Sequence, residues 1–465
     1  MITQPWHTDL PPLVLSLCQH IRQQGGTAWL VGGCVRDIVM QKQPQDFDVE
    51  VFGLSQDDIL LLCHALGHCE AVGKQFGVFK LFARQLCIDI ALPRRELKTA
   101  SGHRGFDVET DPNLPPEIAS SRRDFSINAM MLNPLTRELL DFHHGLQDLK
   151  QRILRHVSPA FIEDPLRVLR AMQFAARFNC TLADETAQLC RTLLAEADSL
   201  PPSRIWQEWQ KWSHADHPSK GLLVLQQTGW LSLYPELTAL IDCQQSPMWH
   251  PEGDVWVHTL QVCDQAASIA SRELLNDKQR EHLIFAGLCH DFGKPETTSI
   301  DEQGNIRSPN HGICGIQTTQ TFLSRIQAPG ILIKHTLPLV REHIAHVSGQ
   351  PSARAVRRLA ARLEPASIER WEMLVEADAS GRYPAPASRP AKTWLEQAHT
   401  MSVQHEKSAP LLTGKLLLSL GEKPGIQMGN ILHAAYQAQL DGDFHDQSEA
   451  IAWYKLHHAA PEALE

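Results

Sequence analysis

"AWLVGGCVRDIVMQKQPQDFDVEVFG" runs from Ala28 to Gly53. It reads as a strand, a Gly-Gly turn, a short helix and a second strand, and that second strand carries Asp46 and Asp48 one residue apart. Side chains at i and i+2 of a strand share a face. Two carboxylates therefore stand side by side and repel unless a positive charge lies between them. A hard divalent cation with oxygen ligands meets that need; a solvated strand end is the plainer alternative. The turn at Gly32 and Gly33 presents backbone N–H groups where a strand passes into a helix, a setting that receives phosphate. Arg36 is placed to reach the same anion, and Asp37 to orient it.

Outward from this stretch, 465 residues are too many for one core and predict two to four domains. The net charge of −10 excludes a generic polycation that coats nucleic acid, so a phosphate-rich partner must be met by a local basic patch. The 11 cysteines include no C-x-x-C pair, which argues for reduced thiols and against a disulfide scaffold or a cysteine zinc site. No apolar run approaches the ~18 residues of a membrane span. The start, "MITQPWHTDLPP", lacks the basic head and apolar stretch of a signal peptide. A cytoplasmic protein with no membrane partner is the expectation.

Short β-branched segments fill residues 1–145: "TAWLVGG", "FDVEVFG", "FGVFKLFA" and "LCIDIAL". Helical periodicity follows, as in "DPLRVLRAMQFAARF". Strands first and helices afterwards predict an α+β fold, a mixed sheet with helices in the head and an all-helical remainder. "QQSPMWHPEGD" (Gln244–Asp254) reads as an entry loop and "RYPAPASRPAK" (Arg382–Lys392) as an exit linker. The expected domains are 1–145, 146–243, 244–385 and 386–465.

"CIDIAL" adds Asp89 in the middle of an otherwise apolar strand, where a carboxylate needs a partner. It reads either as a third acid beside Asp46 and Asp48 or as half of a structural ion pair. Carboxylates that hold Mg²⁺ suit nucleotidyl transfer, in which a 3′-hydroxyl attacks and pyrophosphate departs. "LVGGCVRD" followed by "DFDVEV" resembles the head of the class II nucleotidyltransferases, the family of CCA-adding tRNA nucleotidyltransferases and bacterial poly(A) polymerases. "SSRRDFSINAM" (Ser120–Met130) is similar to that family's next motif, and the resemblance implies nucleotide contacts from Arg123, Asp124 and Asn128. "EDPLRVLRAMQFAARF" resembles the neck that follows.

Within that neck, Pro165 suits a first helical position and Asp164 an N-cap. Arg167 and Arg170 share a helix face. The resemblance implies that Asp164 and Arg167 read the Watson–Crick edge of the incoming base, so that CTP or ATP is chosen without a nucleic-acid template. One departure is Gln173, where similar sequences often carry arginine; glutamine keeps polar reach and loses the charge. The polar stretch from Pro93 to Glu117, with Gly102 and Gly105, is expected to be a long loop. In the family this region is flexible and helps switch specificity from C to A.

A second constellation is "WHPEGDVWVHTLQVCDQA", "IFAGLCHDFGKPET" and "LVEADASGR". The pair His290-Asp291 ends an apolar helical run, where two polar residues are costly unless ligated or exposed. Imidazoles and carboxylates together suit a transition metal or Mg²⁺/Mn²⁺. His258, His290, Asp291 and Asp378 resemble the metal ligands of the HD phosphohydrolase superfamily, which implies a divalent metal (Mg²⁺, Mn²⁺ or Ni²⁺) and attack of water on phosphorus. Lys294 is placed to contact a phosphate, and His311, His335 and His343 are further candidates among 24 histidines. "ARAVRRLAARLE" (Ala353–Glu364) sets Arg354, Arg357, Arg358 and Arg362 on one helix, as a phosphate-binding stripe or a solvated face.

The head, neck and HD segments in this order resemble the multifunctional CCA proteins. The resemblance implies tRNA as partner, CTP and ATP as substrates, and an HD domain with phosphatase and 2′,3′-cyclic phosphodiesterase activity. Addition of CC only or of A only, poly(A) synthesis, and a phosphohydrolase with a non-catalytic head are the alternatives.

Overall fold

In "PLVLSLCQHIRQ", Val14, Leu17, Cys18 and Ile21 recur at helical spacing, and Pro12–Gln23 (α1) buries that stripe. The structure, a computed structural model, describes residues 9–72, 77–83, 86–98 and 106–458. The chain divides into two units, Met1–Leu233 and Tyr234–Glu465.

In the first unit, Thr27–Val31 (β1) leads through Gly33–Val39 (α2) to Phe47–Phe52 (β2). Gln56–Leu66 (α3) follows, opened by a capping box between Ser55 and Asp58. His68–Ala71 (β3), Val78–Ala83 (β4) and Leu86–Ala91 (β5) come next. Met131–Leu132 (here β8) and Leu139–Leu140 (β9) complete a seven-stranded sheet ordered β3-β4-β5-β2-β1-β8-β9, after the Arg94–Lys98 (β6) and Phe106–Thr110 (β7) hairpin. Every neighbouring pair in the sheet is antiparallel except β2 and β5, which run parallel with Asp48 opposite Asp89.

Period-two alternation sorts the side chains of this sheet. Ala28, Leu30, Phe47, Val49, Val51, Ile88 and Ile90 pack in one cluster with α1, α2 and α3. Trp29, Val31 and Phe52 face the other way, toward Leu114, Ala119 and Met131. Asp48, Glu50 and Asp89 occupy the intervening positions of β2 and β5, so the apolar packing of one face leaves the acids on the other.

The expected long loop at Pro93–Glu117 is a correction: its flanks pair as an antiparallel hairpin, β6 with β7, in the register Arg94↔Thr110 through Lys98↔Phe106. Gly102 and Gly105 lie outside the described residues. Pro116–Ser121 (α4) and Gly145–Gln151 (α5) lead into the helices Leu166–Phe178 (α6), Asp184–Thr192 (α7), Pro202–Ser213 (α8) and Pro218–Gln227 (α9), with α6 packed on α8 and α9.

The second unit is nearly all helix: Pro235–Thr238 (α10), Val255–Arg272 (α11), Asp277–Cys289 (α12), Lys294–Thr297 (α13), His311–Arg325 (α14), Gly330–Glu342 (α15), Ala353–Leu363 (α16), Ile368–Ser380 (α17), Lys392–Thr400 (α18), Gly414–Ser419 (α19), Ile426–Asp441 (α20) and Gln447–His457 (α21). α11 packs on α12 and α17, and α12 on α15. Leu417, Ile431, Phe444 and Tyr454 form a separate cluster near the end of the chain. The arginines of α16 are committed within the unit. Arg354 and Arg358 pair with Asp441 at 2.9 and 2.6 Å, Arg357 donates to the Leu440 carbonyl, and Arg362 pairs with Glu342. A free phosphate-binding stripe is therefore not what this helix presents.

Candidate active sites

The first site grows from the turn after β1. Gly32 has φ 74° and ψ −137°, a region open to glycine. A Cβ there would lie 3.3 Å from Asp48 Oδ2 and 3.2 Å from Arg123 Nη1, so the turn, the acid and the arginine are neighbours. β2 begins at Phe47, which leaves Asp46 exposed in the bend just before the strand, a small correction to its expected place on it. Burial raises the Asp48 carboxyl above its usual range; Asp89 and Asp46 add to the rise, and Arg123 and Lys80 oppose it. The three acids thus share one local field.

Asp89 is less enclosed than a buried acid in an apolar strand would be: its side chain is 40% exposed. Its partner is Lys80, directly opposite on β4, with Nζ 2.6 and 2.9 Å from the two carboxylate oxygens. Glu50, two residues beyond Asp48 on the same face, is buried and draws Arg122 and Arg123 to 3.3 and 3.4 Å. Asp48, Glu50, Asp89, Arg94, Arg122 and Arg123 line one cavity.

A second set of polar groups is linked in series. Asp124, buried, accepts hydrogen bonds from Arg170, Asn128 and the Phe125 N–H. Burial would raise its carboxyl, but the Arg170 charge and these bonds hold it below the usual range. Asn128 Oδ1 accepts from Arg36 Nη1 at 2.8 Å, and Arg36 in turn donates to Asp37. The Arg36 guanidinium lies 4.2 Å from the Phe178 ring centroid. Motifs 92 positions apart in sequence, by the Arg36–Asn128 bond, meet beside the Gly-Gly turn.

α6 begins at Leu166, one residue later than expected, with Asp164 Oδ1 accepting the Leu166 N–H. The other Asp164 oxygen is 3.6 Å from Arg204. Arg167 donates to the carbonyls of Ala160 and Arg122, which ties the neck helix to the head motif. Gln173 is buried and accepts from Arg177 at 3.4 Å.

The second site lies where helix ends converge. His258 on α11, His290 and Asp291 after α12, and Asp378 on α17 come together: His258 Nε2 is 3.0 Å from Asp378 Oδ1, and His290 Nε2 is 3.1 Å from Asp291 Oδ2. Lys294 Nζ sits 2.7 Å from the same Asp291 oxygen and donates to Gln245. Gly293 permits this convergence, because a Cβ there would lie 2.0 Å from the His311 carbonyl oxygen. His311 and His343 join as well, with Nε2 atoms 2.9 Å apart and 3.4 and 3.9 Å from Asp291 Oδ1. His335 does not; it stacks on His282 over a different cavity.

The donor set fits a cation. His290 Nε2, Asp291 Oδ2 and Glu252 Oε2 are buried with no aligned hydrogen bond despite close neighbours. Backbone carbonyls of Gly287, Ser308 and Val340 hold the Nδ1 atoms of His290, His311 and His343 and turn each Nε2 inward. Asp291 joins two groups of ligand atoms, one with His258 and His290 and one with His311 and His343. Burial would lower His258, yet its bonds to Asp378 and Glu252 push it up to about 9. His343 falls to about 3 through burial and the neighbouring His311 and His290.

Three segments of the chain match known families. Residues 28–155 match the Poly A polymerase head domain, residues 179–241 the probable RNA and SrmB-binding site of polymerase A, and residues 255–378 the HD domain. The multifunctional CCA protein of Xanthomonas campestris pv. campestris (strain B100) is 36% identical over 387 residues, covering 81% of this chain and 90% of that protein. The chain belongs to the multifunctional CCA protein family. Another member, from Nitrosococcus oceani, is 35% identical over 76% of this chain and 84% of its own. The fold is shared with the Bacillus stearothermophilus CCA-adding enzyme in complex with CTP, with a TM-score of 0.63, 20% identity and coverage of 96% and 97%.

For this member of the family, the α+β reading holds. Sequence reasoning passed over Glu50, Lys80, His250, Glu252 and Gln245. Glu50 was visible as the third acid at spacing two in "DFDVEV"; Glu252 and His250 lie in the quoted "WHPEGD". Lys80 had no signal, since only strand register sets it against Asp89. No helix among the described residues is long and apolar enough to cross a membrane.

Proposed function

We propose that this chain adds C, C and A to the 3′ end of tRNA from CTP and ATP without a nucleic-acid template, and that its HD unit hydrolyses phosphate esters, including 2′,3′-cyclic phosphates. The observation that carries the first half is Asp48, set against Asp89 by strand register and against the Gly32 turn and Arg123 by close approach. Proteins of the same fold support it, among them a Thermotoga maritima CCA-adding enzyme complexed with tRNA.

In this reading Asp46 and Asp48 hold Mg²⁺, which neutralises charge on the triphosphate. Gly32, Gly33, Arg36 and Arg123 cradle that triphosphate. The tRNA 3′-hydroxyl oxygen bonds to the α-phosphorus as the bond to the pyrophosphate oxygen breaks, and Asp89 takes the hydroxyl proton once Lys80 releases it. Asp124 and Asn128 position Arg36 and Arg170 in the nucleotide pocket, and Asp164 and Arg167 present acceptor and donors to the base. Gln173, holding Arg177, replaces a charge with a neutral contact in the same pocket.

At the HD centre His258, His290, Asp291 and Asp378 hold a divalent cation, Mg²⁺, Mn²⁺ or Ni²⁺, that supplies Lewis acidity toward a phosphate oxygen. His311 and His343 complete a second group of ligands on Asp291. Lys294, held by Asp291 and Gln245, faces the adjoining cavity and balances phosphate charge. The domains proposed are 1–145, 146–243, 244–385 and 386–465, in a reducing cytoplasm suited to buried free thiols.

The test offers purified protein tRNAs ending before CCA, after CC and after CCA, with labelled CTP or ATP, and sequences the products. Termination after CCA supports the proposal. A long A tail indicates poly(A) synthesis, a stop after CC or A alone a half-specific enzyme, and no incorporation a phosphohydrolase with a binding head.

A further inference from the structure

α12, α15 and α17 each deliver a group to the HD centre at or just beyond one end: His290, His343 and Asp378. Eight residues earlier on the same three helices stand His282, His335 and Arg370. Eight residues of helix span about 12 Å, so these three gather around a second cavity two turns away. Its lining also includes Gln279, Ser367 and His405.

That cavity holds a buried guanidinium beside two imidazoles. Arg370 is buried, 6% exposed, and among the described residues its guanidinium makes one hydrogen bond, from Nη1 to the thioether sulfur of Met373, a weak acceptor. A guanidinium carries five N–H donors, and a buried cation needs a counter-charge. The carboxylate on the rim, Glu369, faces His405 at 3.4 Å and acts on Arg370 through its field, with no hydrogen bond to the guanidinium among the described residues. His282 and His335 are stacked in parallel, centroids 4.3 Å apart and planes 14° apart, which aligns two imidazole edges beside the arginine. Burial and mutual repulsion lower His282 to about 4, and burial and the Arg370 charge lower His335. An anion entering the cavity would relieve both. Ser367, whose side chain caps the 13-residue α17, places that helix N-terminus at the same wall.

We propose that this cavity is an oxyanion site that takes a phosphate group, held by Arg370, His282 and His335, at the far end of the helices that build the HD centre. The phosphate comes either as the free ion or as the terminal phosphate of a nucleotide. Arg370 is the anchor, because a planar fork of donors matches phosphate oxygens.

The experiment uses the full chain. Crystals soaked in tungstate, a phosphate mimic with an anomalous signal, are expected to show a peak within hydrogen-bond distance of the Arg370 guanidinium. In solution, calorimetric titration with inorganic phosphate is expected to count one site fewer in Arg370→Met than in the unsubstituted protein, with thermal unfolding and far-ultraviolet circular dichroism of the full chain as the check on folding. His335→Gln is expected to keep the site and weaken it several-fold, which guards against a folding failure in the first variant. Parallel titration with CMP separates the sources: tenfold tighter binding than phosphate assigns a nucleotide, and equal or weaker binding assigns the free ion. A tungstate map with peaks only at the other two centres, or an identical site count in Arg370→Met, overturns the proposal.

Discussion

Gly32 shows how one missing side chain builds a site. Its φ of 74° is strained for other residues, and a Cβ there would press on Asp48 and Arg123 at once. Gly32→Ala is expected to cost about 1–3 kcal/mol of unfolding free energy, read from the urea midpoint, and to depress CTP incorporation further than that loss explains. An unchanged midpoint would show that the turn relaxes freely. Asp124 gives the corresponding pH argument. Its carboxyl is lower in the fold than its ordinary value of 3.8, so the stability it contributes is complete above that value and drains as pH falls through the folded one. Asp124→Asn leaves the half-buried Arg170 without that counter-charge and weakens a charge-assisted hydrogen bond, a loss of about 1–3 kcal/mol near neutrality. The unfolding curves of the two proteins should therefore stay apart down to pH 3.8 and draw together only as the pH is lowered further. A gap that stays constant with pH would remove Asp124 as the charged partner.

Elements decided what could be read in the chain. β2 was legible because alternation is local: "DFDVEV" sorts apolar residues to one face and acids to the other without help from the rest of the molecule. The hairpin of β6 and β7 was not: "FDVET" alternates as β2 does, but its partner "RRELK" is polar at all but one position, and the pairing is set by register. His311 and His343 were legible as histidines and not as a pair: one opens α14, the other follows α15, and only the packing of those helices brings them to Asp291. α16 left two readings open. Four arginines on one helix allowed either a phosphate stripe or a solvated face, and Asp441, at the end of α20, takes two of them. Arg358→Ala is accordingly expected to leave the salt dependence of tRNA binding unchanged and to lower stability by less than about 1 kcal/mol, since exposed pairs contribute little. A shallower slope of log affinity against log salt would restore the phosphate stripe.

At the scale of the whole molecule, the two units each own a core and a site. The residues proposed for nucleotidyl transfer, from Gly32 to Gln173, fall inside Met1–Leu233, and the ligands proposed for the HD centre, from His258 to Asp378, inside Tyr234–Glu465. No residue of either set is shared, so the chemistry of one does not need the ligands of the other. Asp48→Ala removes the acid that faces Asp89 and is expected to cut CTP and ATP incorporation by about a thousandfold or more, with phosphatase activity kept within about twofold. His290→Ala should produce the mirror image, because His290 is held in the second unit alone, by the Gly287 carbonyl and the Asp291 carboxylate. The measurement runs both assays on both variants, with thermal unfolding to confirm that each is folded. A tRNA end bearing a 2′,3′-cyclic phosphate makes the comparison sharper: the Asp48→Ala protein should open it with one water, release inorganic phosphate with a second and stop at the free diol, and the His290→Ala protein should leave it closed and unextended. Mixing the two variants should then restore the complete CCA end, since product released by one HD unit is substrate for the other protein's head. Loss of both activities in either folded variant, or failure of the mixture, would mean that the two centres work as one.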